Sequence, residues 1–209
     1  MQNKYVVLDF ETTGLKAGYH RIIEVGAVIV TDGEITDSYA QLMDPGEHIP
    51  SFITELTGIS NAMVRGQPSP EQVMPTLKAF IGNMPIIAHN ASFDSRFFFA
   101  EMGKAGLNHC VPFLCTMMLS RRLVHKSPNY RLGTLVDHLQ LKKPKNVRAH
   151  RALDDVYLTA ELWFHLQQII CSASGRKHTD IDFYLKLMKT PKAKVDKFLS
   201  DTGKAQSYE

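Results

Sequence analysis

Residues 5–42 contain three segments whose apolar and polar positions follow the pattern of β-strands. Two runs rich in β-branched and aromatic residues extend from Tyr5 to Phe10 and from Ile22 to Val30. Asp32-Gly33 is a dipeptide typical of a tight hairpin turn, and a third strand is expected from Ile35 to Leu42. The pattern therefore predicts an antiparallel meander at the start of the chain.

From residue 51 onward the apolar spacing is mainly helical. Helices are expected at residues 51–58, 72–81, 92–103, 116–124, 132–139 and 152–170, and a short buried strand from Pro85 to Ala88. Strands followed by alternating helix and strand predict an α/β domain with a mixed sheet over residues 1–170. Residues 171–209 are predicted to form a linker and a short helical tail broken at Pro191. Packing of this tail onto the domain is favoured over docking of a partner.

Composition indicates a folded, cytoplasmic protein with no membrane partner. The chain has 209 residues, of which 44% are hydrophobic, and this is enough for one sizeable core. Its apolar runs are too short to cross a bilayer, and its start lacks the features of a signal peptide. Three cysteines fit no zinc-binding spacing and are expected to be free thiols in a reducing compartment. They are Cys110, Cys115 and Cys171.

Positive charge is concentrated in one stretch of the chain. Between Arg121 and Arg151, nine Lys and Arg residues stand against a single acid, Asp137. With a formal net charge of +3 for the whole chain, this stretch carries +8 and the remainder −5. A one-sided basic stretch is expected of a surface that binds a polyphosphate backbone. A solvated basic loop is the alternative.

Two carboxylates stand at the end of the first predicted strand. Asp9 and Glu11 are two residues apart, so they project from the same face, about 7 Å apart along the strand. Two acids on one face of an apolar strand are costly to bury unless a cation lies between them. Hard divalent ions with oxygen ligands, Mg²⁺ or Mn²⁺, are the natural partners. A strand that runs out into solvent is the alternative.

Further candidates stand at the start of two predicted helices. Asp94 follows the short buried strand, in a first helical turn where an acid also complements the helix dipole. His150 precedes the long helix and could lie over the turn that presents Asp155. A capping or surface role is the alternative for His150, and Asp154 is the alternative acid.

Taken in order, these segments resemble the motifs of the DEDDh exonucleases, the family of the proofreading epsilon subunit of bacterial DNA polymerase III. The three motifs are Asp9-Phe10-Glu11-Thr12-Thr13-Gly14-Leu15, Asn90-Ala91-Ser92-Phe93-Asp94 and His150-Arg151-Ala152-Leu153-Asp154-Asp155. The resemblance covers roughly residues 4–170. It implies a ribonuclease-H-like fold with a mixed five-stranded sheet flanked by helices, and its spacing selects Asp155 over Asp154.

The resemblance also implies the chemistry, which is hydrolysis of phosphodiester bonds with two divalent ions, Mg²⁺ or Mn²⁺. Asp9 would contact both ions. Glu11 and Asp155 would complete the site on the side of the nucleophile, and Asp94 would hold the second ion. His150 would act as the general base, because a neutral imidazole near pH 7 suits proton abstraction from water.

Substrate contacts are implied in the same way. The Thr12-Thr13-Gly14 turn would contact the terminal 3′-hydroxyl, and Leu15 would lie beside the last base. Thr57 stands in the predicted nucleotide pocket, where some relatives carry a histidine before the glycine. The remaining predicted contacts are His89, Asn90, Phe93, Arg148 and Arg151. For His89, a buried packing role is the alternative.

The favoured function is a 3′–5′ exonuclease that acts on single-stranded DNA and releases nucleoside monophosphates, in repair or in proofreading with a polymerase. A 3′–5′ exoribonuclease would use the same catalytic residues, because contacts to the 2′-hydroxyl distinguish the two polymers. A catalytically silent nucleic-acid-binding module is the third hypothesis, against which the complete set of acids argues. The sequence gives no indication of oligomeric state.

Overall fold

The computed structural model describes residues 4–143, 151–176 and 179–204. The strands are β1 (Lys4–Thr12), β2 (Ile22–Thr31), β3 (Glu34–Leu42), β4 (Ile86–Ala88) and β5 (Phe113–Cys115). Within the described residues they form one sheet in the order β3-β2-β1-β4-β5. The first three strands are antiparallel, whereas β4 and β5 run parallel to β1. The expected mixed five-stranded sheet is confirmed.

Helices occupy most of the remaining described residues. They are α1 (Ser51–Thr57), α2 (Asn61–Val64), α3 (Pro70–Ile81), α4 (Ala91–Lys104), α5 (Thr116–Leu123), α6 (Leu132–His138), α7 (Ala152–Ser174), α8 (Ile181–Lys189) and α9 (Val195–Lys204). A 3₁₀ turn at Lys192–Lys194 precedes α9. The sequence pattern did not predict α2, which has four residues, or β5, which has three.

The side chains of β1 alternate between two apolar cores. Val7 packs in a cluster with Trp163 of α7, on one face of the sheet. Leu8 packs on the other face, in a cluster built largely from α3 and α4. Each fully buried apolar side chain of this size stabilises the fold by roughly 1.5–3 kcal/mol. Asp9 and Glu11 have the parity of Val7, so they project toward the face that α7 covers.

Residues of the C-terminal helices are buried in the core on the α7 side. The ring of Tyr184 in α8 lies 4.7 Å from that of Trp163, which lies 5.3 Å from Tyr5 of β1. Val195 and Leu199 of α9 belong to the same buried cluster. The end of the chain described here therefore packs on the same face of the sheet as α7.

The helix α7 connects the sheet region to these C-terminal helices. It continues to Ser174, past the predicted domain end at residue 170. It stops at Gly175, whose φ of 69° lies in the left-handed region that favours glycine. None of the described helices combines the length and apolar character needed to cross a bilayer.

The first turn of α7 touches the backbone of β2 at Gly26. A Cβ atom added to Gly26 would lie 2.4 Å from the carbonyl carbon of Ala152 and 2.4 Å from the amide nitrogen of Leu153. Both neighbours are backbone atoms and cannot rotate away. Glycine at this position therefore sets how closely α7 approaches the sheet.

We expect Gly26→Ala to destabilise the protein by about 1–3 kcal/mol, because the α7 backbone must move to admit a methyl group. Denaturant unfolding of the purified protein measures the change. Gly103→Ala in α4 is the matched control, since its added Cβ would have no described atom within 4 Å apart from its chain neighbours and the backbone of its own helix. Alanine is favoured over glycine inside a helix by roughly 1 kcal/mol. Equal stability of Gly26→Ala and the wild type would contradict the prediction.

Candidate active site

Three carboxylates converge where β1 ends. Asp9 and Glu11 lie on β1, and Asp155 lies in the first turn of α7. One carboxylate oxygen of each lies within 4.8 Å of the other two. The close approach of α7 at Gly26 brings these residues together from distant parts of the sequence.

Asp94 lies beside this group, in the first turn of α4. It is only 2% exposed, and its carboxylate accepts a hydrogen bond of 3.3 Å from the backbone N–H of Phe10. Because Phe10 stands between Asp9 and Glu11, this bond holds α4 against the acidic end of β1. Asn90, with φ 67°, makes the left-handed turn that leads into α4.

These acids disfavour one another's ionised forms. Burial raises the pKa of Asp9 well above its usual value, and the neighbouring carboxylates raise it further. Burial and then Asp155 raise the pKa of Glu11 to about 8. Burial also raises the pKa of Asp94 to about 7, although its backbone hydrogen bonds act in the opposite direction. Such an excess of negative charge favours binding of a cation.

The donor set fits a hard divalent cation. Asp9, Glu11 and Asp155 each offer a carboxylate oxygen, which is the ligand type preferred by Mg²⁺ and Mn²⁺. Oxygens on opposite sides of one Mg²⁺ are about 4 Å apart, so only small side-chain movements would close this group around an ion. An ion would also neutralise the repulsion among the three carboxylates.

A further acid near this group, Glu24 of β2, holds the start of α7. Its carboxylate accepts hydrogen bonds from the Arg151 guanidinium, the shortest at 2.6 Å, and from the backbone N–H of Ala152 at 3.0 Å. α7 has no side-chain cap of its own, so Glu24 supplies one from the neighbouring strand. Glu24 is paired with Glu11 across β1 and β2. It therefore connects the two elements that carry Glu11 and Asp155.

The loop between β1 and β2 is closed by hydrogen bonds at its base. Thr12 Oγ1 donates to the carbonyl of Gly14 at 2.7 Å. The Thr13 N–H donates to the Arg21 carbonyl at 2.9 Å, and Thr13 Oγ1 accepts from the Arg21 N–H at 3.0 Å. A Cβ on Gly14 would lie 2.5 Å from the ring of His20, so this ring packs directly on the turn. Leu15 stands at the outside of the loop and is 79% exposed.

Arg21 also anchors this loop to the helices beneath it. Its Nε and Nη2 atoms donate to the two carboxylate oxygens of Glu101 in α4, at 2.8 and 3.1 Å. Nη2 also donates to Glu71 of α3 at 2.6 Å. The Glu101 side chain is fully buried. A bidentate ion pair of this kind fixes the orientation of the Arg21 side chain as well as its position.

Comparisons with known proteins assign this architecture to a family. The family model described as Exonuclease matches residues 6–163. A DNA polymerase III of the PolC type from Clostridium perfringens is 41% identical over 163 residues, which make up 77% of this chain. The chain belongs to the exonuclease family. It spans only 11% of the length of that polymerase.

Two solved structures resemble this chain in fold. Exonuclease X, in complex with 5′ overhanging duplex DNA, has a TM-score of 0.66 and 31% identity, and the match covers 83% of this chain and 94% of that one. The nuclease domain of 3′hExo, a DEDDh family member bound to rAMP, shares the fold with a TM-score of 0.65 at 21% identity, over 79% of this chain and 92% of that one. The predicted resemblance is confirmed at the level of the exonuclease family and its fold.

Among the predicted substrate contacts of the exonuclease, His89 lies at the end of β4 with both ring nitrogens engaged. Its Nε2 donates to the Tyr130 carbonyl at 2.9 Å, and its Nδ1 lies 2.9 Å from Thr116 Oγ1. Burial lowers the pKa of His89 to about 4, so the ring is neutral near pH 7. These bonds orient the segment that leads into Asn90.

The other residues predicted to contact the substrate differ in burial and in their hydrogen-bond partners. Thr57 is buried, and its hydroxyl donates to the Ile53 carbonyl and accepts from the Ile59 N–H, so it stabilises the end of α1. Phe93 is half-buried against Phe97, with 4.9 Å between ring centroids. The guanidinium of Arg151 is bound by Glu24, as described above. His150 and Arg148 lie outside the described residues.

Sequence patterns did not predict the roles of Glu24, Arg21 or Glu101. Glu24 stands inside the apolar run of β2, and a buried acid in such a run signals a specific partner. This signal could have identified Glu24. Arg21 gave no comparable signal, because its partners lie 50 and 80 positions away in the sequence.

We expect the metal-free exonuclease to lose stability as the pH rises from about 4 to about 8. In the unfolded chain these carboxyls ionise near pH 4. In the folded state the pKa of Glu11 is raised to about 8 and that of Asp94 to about 7. The folded state therefore binds more protons in this window, and its stability falls as they are released.

Thermal unfolding in a chelating buffer at several pH values between 4 and 8 measures this effect. Asp9→Asn should flatten the pH dependence, because it removes one of the repelling charges. Added Mg²⁺ or Mn²⁺ should raise the melting temperature more at pH 8 than at pH 5, since metal and protons compete for the same oxygens. A metal-free melting temperature that rises steadily over this range would contradict the prediction.

We expect Glu24→Gln to weaken Mn²⁺ binding by roughly 10–100-fold, because groups that orient metal ligands have effects of this size. Glutamine keeps the shape of Glu24 but removes the charge that pairs with Arg151. Calorimetric titration with Mn²⁺ measures the affinity. Glu34→Gln, on the exposed start of β3, is the matched control and should bind as the wild type does. Unchanged affinity in Glu24→Gln would refute a positioning role for Glu24.

Proposed function

We propose that this exonuclease removes nucleoside monophosphates from the 3′ end of single-stranded DNA with the aid of two divalent ions, Mg²⁺ or Mn²⁺. The observation that carries the proposal is the convergence of Asp9, Glu11 and Asp155 within 4.8 Å, beside the buried Asp94. Membership of the exonuclease family supports it.

The acids would divide between the two ions. Asp9, Glu11 and Asp155 would hold the first, and Asp94 together with Asp9 would hold the second. When bound, such ions would neutralise charge on the scissile phosphate and ease the ionisation of the attacking water. The protein contributes the spacing of the carboxylates, which β1, α4 and α7 fix through the Phe10, Gly26 and Glu24 contacts.

His150 is proposed as the general base that accepts the proton of the attacking water. It directly precedes Arg151, which Glu24 holds at the start of α7. The Thr12-Thr13-Gly14 turn is proposed to bind the terminal 3′-hydroxyl, and the exposed Leu15 to lie beside the last base. Arg148 is proposed to contact a phosphate. For Arg151 we propose a positioning role, because its guanidinium is engaged by Glu24.

DNA is the proposed polymer because the relatives with about 40% identity are DNA polymerases and Exonuclease X was solved with DNA. Proofreading would require a polymerase partner, which this chain would serve either in trans or as part of a longer protein. An exoribonuclease is the second candidate, since 3′hExo was solved with rAMP. Contacts to the 2′-hydroxyl would separate the two functions.

Matched DNA and RNA oligonucleotides of one sequence test the proposal. Each carries a 5′ label and either a free or a chemically blocked 3′ end. We expect a ladder of products shortened from the 3′ end on unblocked DNA, dependent on Mg²⁺ or Mn²⁺, and slower release from RNA. Faster hydrolysis of RNA than of DNA would favour the exoribonuclease. Hydrolysis of the 3′-blocked strands at the same rate as the unblocked strands would contradict the proposed 3′–5′ polarity.

We expect Asp9→Asn and Asp155→Asn each to reduce the rate of mononucleotide release by more than roughly 100-fold. That figure is the largest usual loss when a group that only orients a metal ligand is removed, and these two residues are proposed as ligands themselves. His150→Ala should cost about 10²–10⁴-fold, the usual contribution of a general base. Asp154→Asn, one residue from Asp155, is the matched control and should change the rate little. Circular dichroism verifies that each variant is folded. Full activity in both Asp9→Asn and Asp155→Asn would refute the assignment.

A further inference from the structure

Two cations lie against one aromatic ring on the face of the protein formed by α5 and the C-terminal segment. The guanidinium of Arg121, in α5, lies 6.0 Å from the centroid of the Tyr130 ring. The ammonium of Lys192, in the 3₁₀ turn before α9, lies 5.5 Å from the same centroid. We call Arg121, Tyr130 and Lys192 the Tyr130 ridge. A favourable cation–π contact with the ring orients each charge.

Neither cation of the Tyr130 ridge forms an ion pair within the described residues. Within the described residues, the basic side chains that form ion pairs are Arg21, Lys104, Lys143 and Arg151. Arg121 and Lys192 are exposed and are not among them. From Lys186 to Lys197 the chain carries five lysines and a single acid. Like charges gathered in this way favour a polyanionic partner.

The C-terminal segment, which consists of α8, the 3₁₀ turn and α9, is held in place beside α5. Arg122 donates from its Nε atom to the carbonyl of Thr190 at 2.9 Å, and Met188 accepts a contact of 3.2 Å from the backbone N–H of Cys115. Lys192 follows Thr190 by two residues and is therefore brought to Tyr130. The ridge is thus a fixed feature, built from two parts of the chain that are distant in sequence.

The Tyr130 ridge is also connected to the acidic end of the sheet. The carbonyl of Tyr130 accepts the 2.9 Å hydrogen bond from His89, and His89 directly precedes Asn90, which opens the helix that carries Asp94. β1, β4 and β5 are parallel, so their carboxyl ends lie at one edge of the sheet. This edge carries the carboxylates at the end of β1 and His89 at the end of β4.

We infer that the Tyr130 ridge binds the phosphate backbone of the nucleic-acid strand, upstream of the terminal nucleotide that lies at the carboxylates. The inference rests on the proposed function and adds a second binding surface to it. It also gives the C-terminal segment a role, because Lys192 belongs to that segment. Phosphate contacts of this type add affinity without reading sequence.

The experiment compares a long and a short DNA substrate. Binding of a 5′-labelled oligothymidylate of about 20 nucleotides is measured by fluorescence anisotropy in a chelating buffer over a range of salt concentrations. Turnover of a DNA dinucleotide, which reaches only the carboxylate site, is measured with Mg²⁺. The variant is the double substitution Arg121→Gln/Lys192→Gln, and Lys4→Gln/Lys78→Gln is the control of equal charge change outside the ridge.

We expect the ridge variant to bind the long strand several-fold more weakly. The slope of log affinity against log salt should fall by about 1.4, which corresponds to two lost phosphate contacts on a single strand. Turnover of the dinucleotide should stay at the wild-type level. Arg121→Lys/Lys192→Arg, which keeps both charges, should restore binding of the long strand, and the control should bind as the wild type does.

An unchanged affinity and salt slope in the ridge variant would overturn the inference and leave the surface to another partner, such as an acidic protein. Equal losses on the dinucleotide and the long strand would also overturn it, since the ridge would then act on the catalytic site. If the wild type hydrolyses neither substrate, the proposed function fails. The salt slope still reports on the ridge in that case, so the two failures are distinguishable.

Discussion

Repulsion among neighbouring carboxylates at the end of β1 is the constraint on which the rest of the site depends. Asp9, Glu11 and Asp155 approach one another within 4.8 Å, and burial together with this repulsion raises the pKa of Asp9 and Glu11. An arrangement of this kind raises the free energy of the metal-free folded state. The two cores on either face of β1 offset that cost. A bound divalent ion would relieve this repulsion. The repulsion energy that destabilises the metal-free fold would therefore add to the affinity for the metal.

Ion pairs next to the site fix its geometry more than they stabilise the fold. Desolvation cancels much of the attraction in a buried pair such as Arg21 with Glu101, so its net contribution to the free energy of unfolding is small. Its hydrogen-bond directions, however, admit only one placement of the loop above α4. Glu24 has the same role for α7, because it bonds to both Arg151 and the backbone of Ala152. The site thus has one anchor on each side of β1.

The sequence was sufficient to predict the sheet type, most helices and the acids that converge. These features depend on local periodicity and on short motifs, which can be recognised in a single sequence. β5, a strand of three residues, was not predicted from its pattern. The role of Glu24 was missed because its partners at Arg151 and Ala152 lie 127 and 128 positions away and only the packed fold reveals them. Arg151, predicted to contact phosphate, is engaged by that same acid.

An acidic catalytic edge creates a problem for any enzyme whose substrate is itself an anion. Carboxylates proposed to hold metal ions would repel an anionic strand until the ions are bound, and even then the attraction would be confined to the terminal phosphates. Affinity for the rest of the strand must come from positive charge placed elsewhere. The stretch from Arg121 to Arg151 carries +8 while the remainder of the chain carries −5, so the two signs are already separated along the sequence. In the fold, Arg151 from this stretch pairs with Glu24 beside the acids, whereas Arg121 lies with Lys192 at the ring of Tyr130.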